Sequence, residues 1–155
     1  MAFFETFSTT LNKFDNEHGY ANSRARLRMT TLYQVAAANK GIVVGTGNKV
    51  EDFGVGFYTK YGDGGVDISP IADCNKTEVW ELGKELGILK EIIDAPPTDG
   101  LWDDGRTDEG QLGLSYKELE EAMDNENSVN RDKYNSIRSA NLHKMEPIPV
   151  CKIPN

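Results

Sequence analysis

A mostly helical α/β fold is predicted by three observations. A β-branched apolar run, Ile42, Val43 and Val44, stops at Gly45; helical apolar spacing flanks it on both sides; and a glycine-rich stretch follows it. The run reads as a buried parallel strand whose C-terminal edge opens into Gly45, Thr46, Gly47 and Asn48, with a carboxylate at Glu51. Ligands of open α/β sheets bind at that edge. Gly45 and Gly47 would let the backbone approach a ligand closely, Thr46 offers a hydroxyl, and Glu51 offers a hard oxygen of the kind magnesium accepts beside phosphates. Taken alone, a strand followed by an ordinary Gly-Asn turn accounts for the same residues.

Composition narrows the classes. A chain of 155 residues, 38% hydrophobic and 27% charged, fits a single soluble domain over residues 1–155. A net charge of −8 argues against nucleic acid as a partner, because nothing supplies the broad basic surface that phosphate neutralisation needs. Any anionic ligand must be met locally. Cys74 and Cys151 lie far apart without metal-ligand spacing, so free structural thiols are expected. No apolar run reaches the length of a membrane span and no basic segment precedes the N-terminal phenylalanines, so a cytoplasmic protein is expected.

Taken in order, residues 1–20 carry Phe3, Phe4, Phe7, Leu11 and Phe14 at helical spacing, which predicts an amphipathic helix burying an aromatic stripe in the core or at a subunit interface. A second helix is predicted over 22–38, capped by Asn22. Arg24, Arg26 and Arg28 fall in its first turns, where cations oppose the helix dipole unless an anion or acidic partner compensates; a solvated basic face and a compensated site both fit them. Residues 53–71 hold too many glycines for a regular element and read as a shaped loop carrying Lys60, Asp63 and Asp67. Asn75 caps a helix that Gly87 ends, and Lys76 in its first turn faces either solvent or a phosphate at the helix N-terminus. A short helical turn over 88–95 stops at Pro96 and Pro97. Residues 98–110 are acidic and turn-rich but lack the EF-hand register, so a solvated loop is expected there. Ser115 and Glu118 form a capping box for another helix, a further helix covers 129–142, and the proline-bearing tail is irregular. One strand among so many helices leaves its backbone unpaired: either further strands are hidden in the chain, or its neighbours lie outside it.

ANSRARLRM, GTGNKVE, GFYTKYGDGGVDISPI, NKTEV, PPTDGLWDD, DEGQLGLSY and LHK, in this order and spacing, resemble the synthetase part of NAD synthetases. The resemblance runs from Asn22 to Lys144. It implies the C-terminal part of a Rossmann-like parallel-sheet fold of the adenine-nucleotide alpha-hydrolase kind, acting in a homodimer. It also implies ATP-dependent amidation of deamido-NAD with ammonia, through an acyl-adenylate. On matching positions, Thr46, Lys76 and Thr98 look like ATP contacts and Glu51 like a magnesium (Mg2+) ligand; Arg26, Lys60, Asp67, His143 and Lys144 look like deamido-NAD contacts, with Asp63 beside them. Together the basic residues would supply the local positive charge that two polyanionic ligands require in an acidic protein.

No catalytic side-chain nucleophile is implied, because ammonia attacks the activated carboxylate directly. The family's Ser-Gly-Gly-x-Asp-Ser phosphate loop occurs nowhere in the sequence. Two expectations follow: a partial synthetase domain that is incomplete alone, or a non-catalytic nucleotide-binding or interaction module derived from the same fold.

Overall fold

The structure is a computed structural model and describes residues 2–154. Helix α1 (Ala2–Thr10) and a 3-10 turn (Asn12–Phe14) precede the long helix α2 (Glu17–Ala38). The single helix expected over residues 1–20 is therefore broken, and Met1 lies outside the described residues. The cause is a cap six residues earlier than expected: the Asn16 side chain accepts the Gly19 N–H at 2.7 Å and starts α2 there. Asn22 caps nothing; its side chain accepts the Thr59 hydroxyl at 2.6 Å. Arg24, Arg26 and Arg28 consequently sit inside α2, beyond the reach of its N-terminal dipole. The aromatic stripe is only half packed. Phe4 stacks near Phe7, meets Tyr20 edge-on and lies under the Arg24 guanidinium, whereas Phe3 is 74% and Phe14 66% exposed.

The β-branched run pairs with the segment around Ile68, so the expected loop over 53–71 holds the hidden neighbour. Val44 and Ile68 form a parallel bridge, in which the Gly45 N–H donates to the Ile68 carbonyl at 2.7 Å and the Asp67 N–H to the Val43 carbonyl at 2.9 Å. Among the described residues the pairing goes no further, and no parallel sheet is present. The run is also not the buried strand expected: Val43 is buried, while Ile42 is 59% and Val44 52% exposed. Gly45 and Gly47 are also approached closely by the protein's own atoms, and Gly45 lines a cavity beside the bridge. A Cβ on Gly45 would stand 2.9 Å from Val66 Cγ2, and one on Gly47 2.2 Å from the Asp52 carboxylate. Their small size admits the protein's own atoms.

Residues 50–55, expected to be loop, form a wide helical turn (Val50–Val55) in which the Gly56 N–H returns to the Glu51 carbonyl. It sits at the centre of the core. Val50, Val55, Leu112, Leu114, Tyr116, Leu119, Ala122 and Tyr134 form one buried cluster, flanked by Phe57, Trp80, Met123 and Ile137. Burial at that end needs a turn at this point whatever its glycine content, and this is why propensity alone misses it.

Helix α3 (Lys76–Glu85) starts as expected, with Glu78 accepting the Asn75 N–H at 2.7 Å, and ends before Gly87 in the left-handed region. Helix α4 (Lys90–Ile93) is the expected short turn. A helix not expected in the acidic stretch, α5 (Asp108–Leu112), is capped by Thr107. Helix α6 (Tyr116–Asp124) carries the Ser115–Glu118 capping box. Helix α7 (Arg131–Met145) runs past residue 142, so His143 and Lys144 occupy its last turn, where cations suit the dipole. Cys74 and Cys151 are free thiols. Among the described residues no helix is long and apolar enough to cross a membrane.

Candidate functional site

Beside the Val44–Ile68 bridge lies a cavity of about 490 Å³ whose lining includes Thr46, Glu51, Lys76, Thr98, Arg28 and Asp108. Each side chain arrives from a different element: Thr46 follows the β-branched run, Glu51 stands in the Val50–Val55 turn, Lys76 opens α3, Thr98 follows Pro97, and Asp108 opens α5. The four residues singled out for ATP and magnesium are thus brought together, although their roles remain a matter of resemblance.

Glu51 is held from several directions. The Tyr116 hydroxyl lies 2.5 Å from its Oε1, Lys76 Nζ lies 3.3 Å from the same oxygen, and the Asn48 N–H donates to Oε2 at 3.3 Å. Buried Asn48 turns its own Oδ1 back to the N–H groups of Val50 and Glu51, which fixes the turn that carries the glutamate. Tyr116 is fully buried and also lies 3.1 Å from Asp108 Oδ2. A phenol has one proton, so two carboxylates compete for it. Burial, then the Glu51 charge, pushes the Tyr116 hydroxyl far above its usual range. Burial likewise raises Asp108, against the lowering effect of the Tyr116 hydrogen bond. Asp52 is pushed up to about 6 by burial, with the charges of Glu51 and Asp63 adding to it.

Asp108 is 7% exposed, and its Oδ1 is buried without a hydrogen-bond partner. An orphaned carboxylate oxygen beside Glu51 is a donor set that a divalent cation fits. Among the described residues no cluster of three or more His, Cys, Asp or Glu side chains is placed to hold a metal. Magnesium nevertheless suits the pair, since it is commonly bound by one or two carboxylates, with water and phosphate oxygens completing the shell.

A second cavity, about 610 Å³, adjoins the first through shared Phe57, Asp63, Asp99 and Leu101. Arg26, Lys60, His143 and Lys144 line it, which brings together four of the five residues singled out for deamido-NAD. They are tied to one another through the backbone. Arg26 Nε donates to the Lys60 carbonyl at 3.2 Å, Lys60 Nζ to the His143 carbonyl at 2.5 Å, and Lys144 Nζ to the carbonyls of Gly56 and Tyr58 at 2.9 and 2.8 Å. Burial lowers the Lys144 ammonium, opposed by the nearby Asp63 charge.

Asp67 stands apart from both cavities. Its Oδ2 accepts the Val43 N–H at 2.7 Å and its Oδ1 the Tyr33 hydroxyl at 3.2 Å, so its carboxylate is engaged in joining the bridge to α2. Of the alternate arginines, Arg24 donates to the Leu101 carbonyl at 2.5 Å and pairs with Asp103 at 3.3 Å, while Arg28 donates to the Asp99 and Gly100 carbonyls at 3.3 and 2.8 Å. Asp103 is thus an acidic partner for Arg24, and both arginines tether the loop around residues 99–103. In sequence Asp108 reads as one of several acidic residues of a solvated loop, whereas it is buried, and Tyr116 does not stand out. They belong to the DEGQLGLSY block, where a tyrosine directly after a capping serine reads as an ordinary first-turn residue.

A family model described as NAD synthase matches residues 1–151. The NH(3)-dependent NAD(+) synthetase of Alkaliphilus oremlandii is 50% identical over 135 residues, covering 86% of this chain and 53% of the relative. That of Methanosarcina acetivorans is 51% identical over 102 residues, covering 66% and 39%. The chain therefore spans about half the length, or less, of these curated relatives. Among solved structures, the NMN synthetase from Francisella tularensis superposes with a TM-score of 0.88 at 35% identity, over 100% of this chain and 64% of that one. The NH3-dependent NAD synthetase from Campylobacter jejuni, solved with nitrate, gives 0.68 at 23% identity over 96% and 63%, a likeness of fold alone. With nearly its whole length matched by the family model and half of 135 aligned residues identical to a named relative, the chain belongs to the NAD synthase family.

Proposed function

We propose that this chain forms the deamido-NAD site and part of the ATP site of an ATP-dependent synthetase that amidates deamido-NAD to NAD. One observation carries the reading: residues assigned separately to the two ligands fall into two adjoining cavities, Thr46, Glu51, Lys76 and Thr98 in one and Arg26, Lys60, His143 and Lys144 in the other. A ligand carboxylate in one cavity and an α-phosphorus in the other meet near the shared lining of Phe57, Asp63, Asp99 and Leu101.

In the first step the nicotinate carboxylate oxygen attacks the α-phosphorus and pyrophosphate leaves. In the second, ammonia attacks the acyl carbon, AMP leaves as the bond between the acyl carbon and the phosphate oxygen breaks, and a proton is lost to solvent. The chain's own contribution is positioning and charge. Lys76 offsets charge on the phosphates from the N-terminus of α3, Thr46 and Thr98 offer hydroxyls, and the four basic residues of the larger cavity hold the dinucleotide phosphates. Glu51 and Asp108 would hold magnesium, which when bound offsets charge on the leaving pyrophosphate. Asp67 acts from outside the cavities by fixing the bridge. Full activity requires the phosphate-binding loop that this sequence lacks. A homodimer using the exposed Phe3, Phe14, Leu32 and Val35, and a cytoplasmic setting, belong to the same reading.

Calorimetric titration of the purified chain tests it. Saturable binding of deamido-NAD is expected, with weaker binding of ATP in magnesium. Nicotinate mononucleotide in place of deamido-NAD reports whether the adenylate half contributes to the affinity. No binding of deamido-NAD by a chain shown by circular dichroism to be folded would contradict the proposal.

A further inference from the structure

Lys76 is the first residue of α3, where the positive end of the helix dipole disfavours a cation. The ammonium is nonetheless held there, 3.3 Å from Glu51 Oε1 and 5.0 Å from the centroid of the Tyr116 ring, with both ion-pair partners largely withdrawn from solvent at 20% and 16% side-chain exposure. Around it the same cavity is lined by Glu51, Asp63, Asp99 and Asp108. The other cation in that lining, Arg28, already donates to the Asp99 and Gly100 carbonyls. Lys76 is therefore the counter-ion of the carboxylate cluster. It sits on Oε1 of Glu51, in the cavity that Asp108, with its orphaned Oδ1, also lines.

We infer that Lys76 is a resident counter-ion that keeps a divalent cation off Glu51 until a polyphosphate draws the ammonium away, so that metal and nucleotide enter this cavity together. This rests on the reading that the cavity takes a metal and a nucleotide. The physical argument is an exchange of partners. A metal arriving alone must share Glu51 with an ammonium in contact with it, and like charges a few ångströms apart repel. A metal arriving with phosphates brings anions to which Lys76 can turn, aided by the α3 dipole, and Glu51 is then released to the metal. Binding of the two is thereby coupled. The Tyr116 hydroxyl, 2.5 Å from Oε1, fixes the position of Glu51 for the exchange.

The test is Mn2+ binding to the full chain without nucleotide, read from the electron paramagnetic resonance signal of the free ion. In Lys76→Met, Mn2+ alone is expected to bind about tenfold tighter than in the parent chain, as removal of an adjacent positive charge requires. Lys76→Arg, which keeps the charge, stays at the parent affinity. Adding Glu51→Gln to Lys76→Met abolishes the gain. Lys76→Gln gives the same reading if the methionine variant does not fold. Equal Mn2+ affinity in the parent and Lys76→Met overturns the counter-ion role alone, and so does a gain that survives Glu51→Gln. Absence of Mn2+ binding in every folded variant overturns the metal reading of Glu51 and this inference with it.

Discussion

The hydroxyl of Tyr116 lies 2.5 Å from Oε1 of Glu51, although the two residues are 65 positions apart in the chain. This contact joins the hydrophobic core to the polar wall of the smaller cavity, because the Tyr116 ring is a fully buried member of the core cluster and Glu51 lines the cavity. The same hydroxyl reaches Asp108, so one buried phenol sets the spacing of two carboxylates.

Replacing Tyr116 by Phe keeps the ring and removes the donor. Glu51 and Asp108 then face each other with no proton between them, and a buried acceptor is left unsatisfied. A loss of about 1–3 kcal/mol in folding stability is expected, seen as a lower urea midpoint with an unchanged slope. A variant as stable as the parent would show that the hydroxyl contributes nothing to the fold.

Glu118 accepts the Ser115 N–H and hydroxyl, each at 2.7 Å, and these hydrogen bonds, the backbone one first, hold its carboxyl below the usual value of 4.5. A depressed carboxylate contributes stability above its unfolded-state value and loses it as pH falls through the folded one. Glu118→Ala should therefore be less stable than the parent at pH 7, with the gap closing in strong acid. Urea unfolding at both ends of that range checks this, and a gap independent of pH would refute it.

Gly45 sits where the bridge closes. An alanine Cβ there would meet Val66 Cγ2 at 2.9 Å, Ser69 Oγ at 3.0 Å and the Ile68 carbonyl at 3.2 Å, so the strands must separate. Gly45→Ala is expected to cost about 1–3 kcal/mol. Hydrogen exchange should quicken at the Asp67 amide, which bonds across the bridge to Val43. Unchanged protection of that amide would mean that the bridge tolerates the methyl group.

How much of this was legible in the sequence depends on the range of the signal. The Ser115 box, the Asn75 start of α3 and the Gly87 stop are local, and each was readable because the cap and the capped amide lie within one turn. The start of α2 was missed for want of a rule to choose between two asparagines. Asn16 wins because the chain turns there, and Asn22 is drawn away to Thr59. The Val50–Val55 turn and α5 were missed because neighbours distant in sequence hold them in place, whatever their own propensity. The pattern Ile42–Val44 predicted a strand but not its one-sided pairing, which comes from Ile68. For the site, the residues that motif resemblance grouped for one ligand, Thr46, Glu51, Lys76 and Thr98, line one cavity, and all but Asp67 of the other set line the second. Asp108 carries only the signal of an acidic, turn-rich stretch and Tyr116 none, because their importance lies in meeting Glu51 across the fold.

The central claim is that the two cavities serve different ligands, and calorimetry on crossed variants tests it most directly. Lys60→Met, in the larger cavity, should weaken deamido-NAD binding by about tenfold or more, as loss of a charge-assisted contact requires, and leave ATP binding in magnesium unchanged. Lys76→Met, in the smaller cavity, should do the reverse. If each variant weakens both ligands equally, or if Lys60→Met spares deamido-NAD, the assignment of one ligand to each cavity is contradicted.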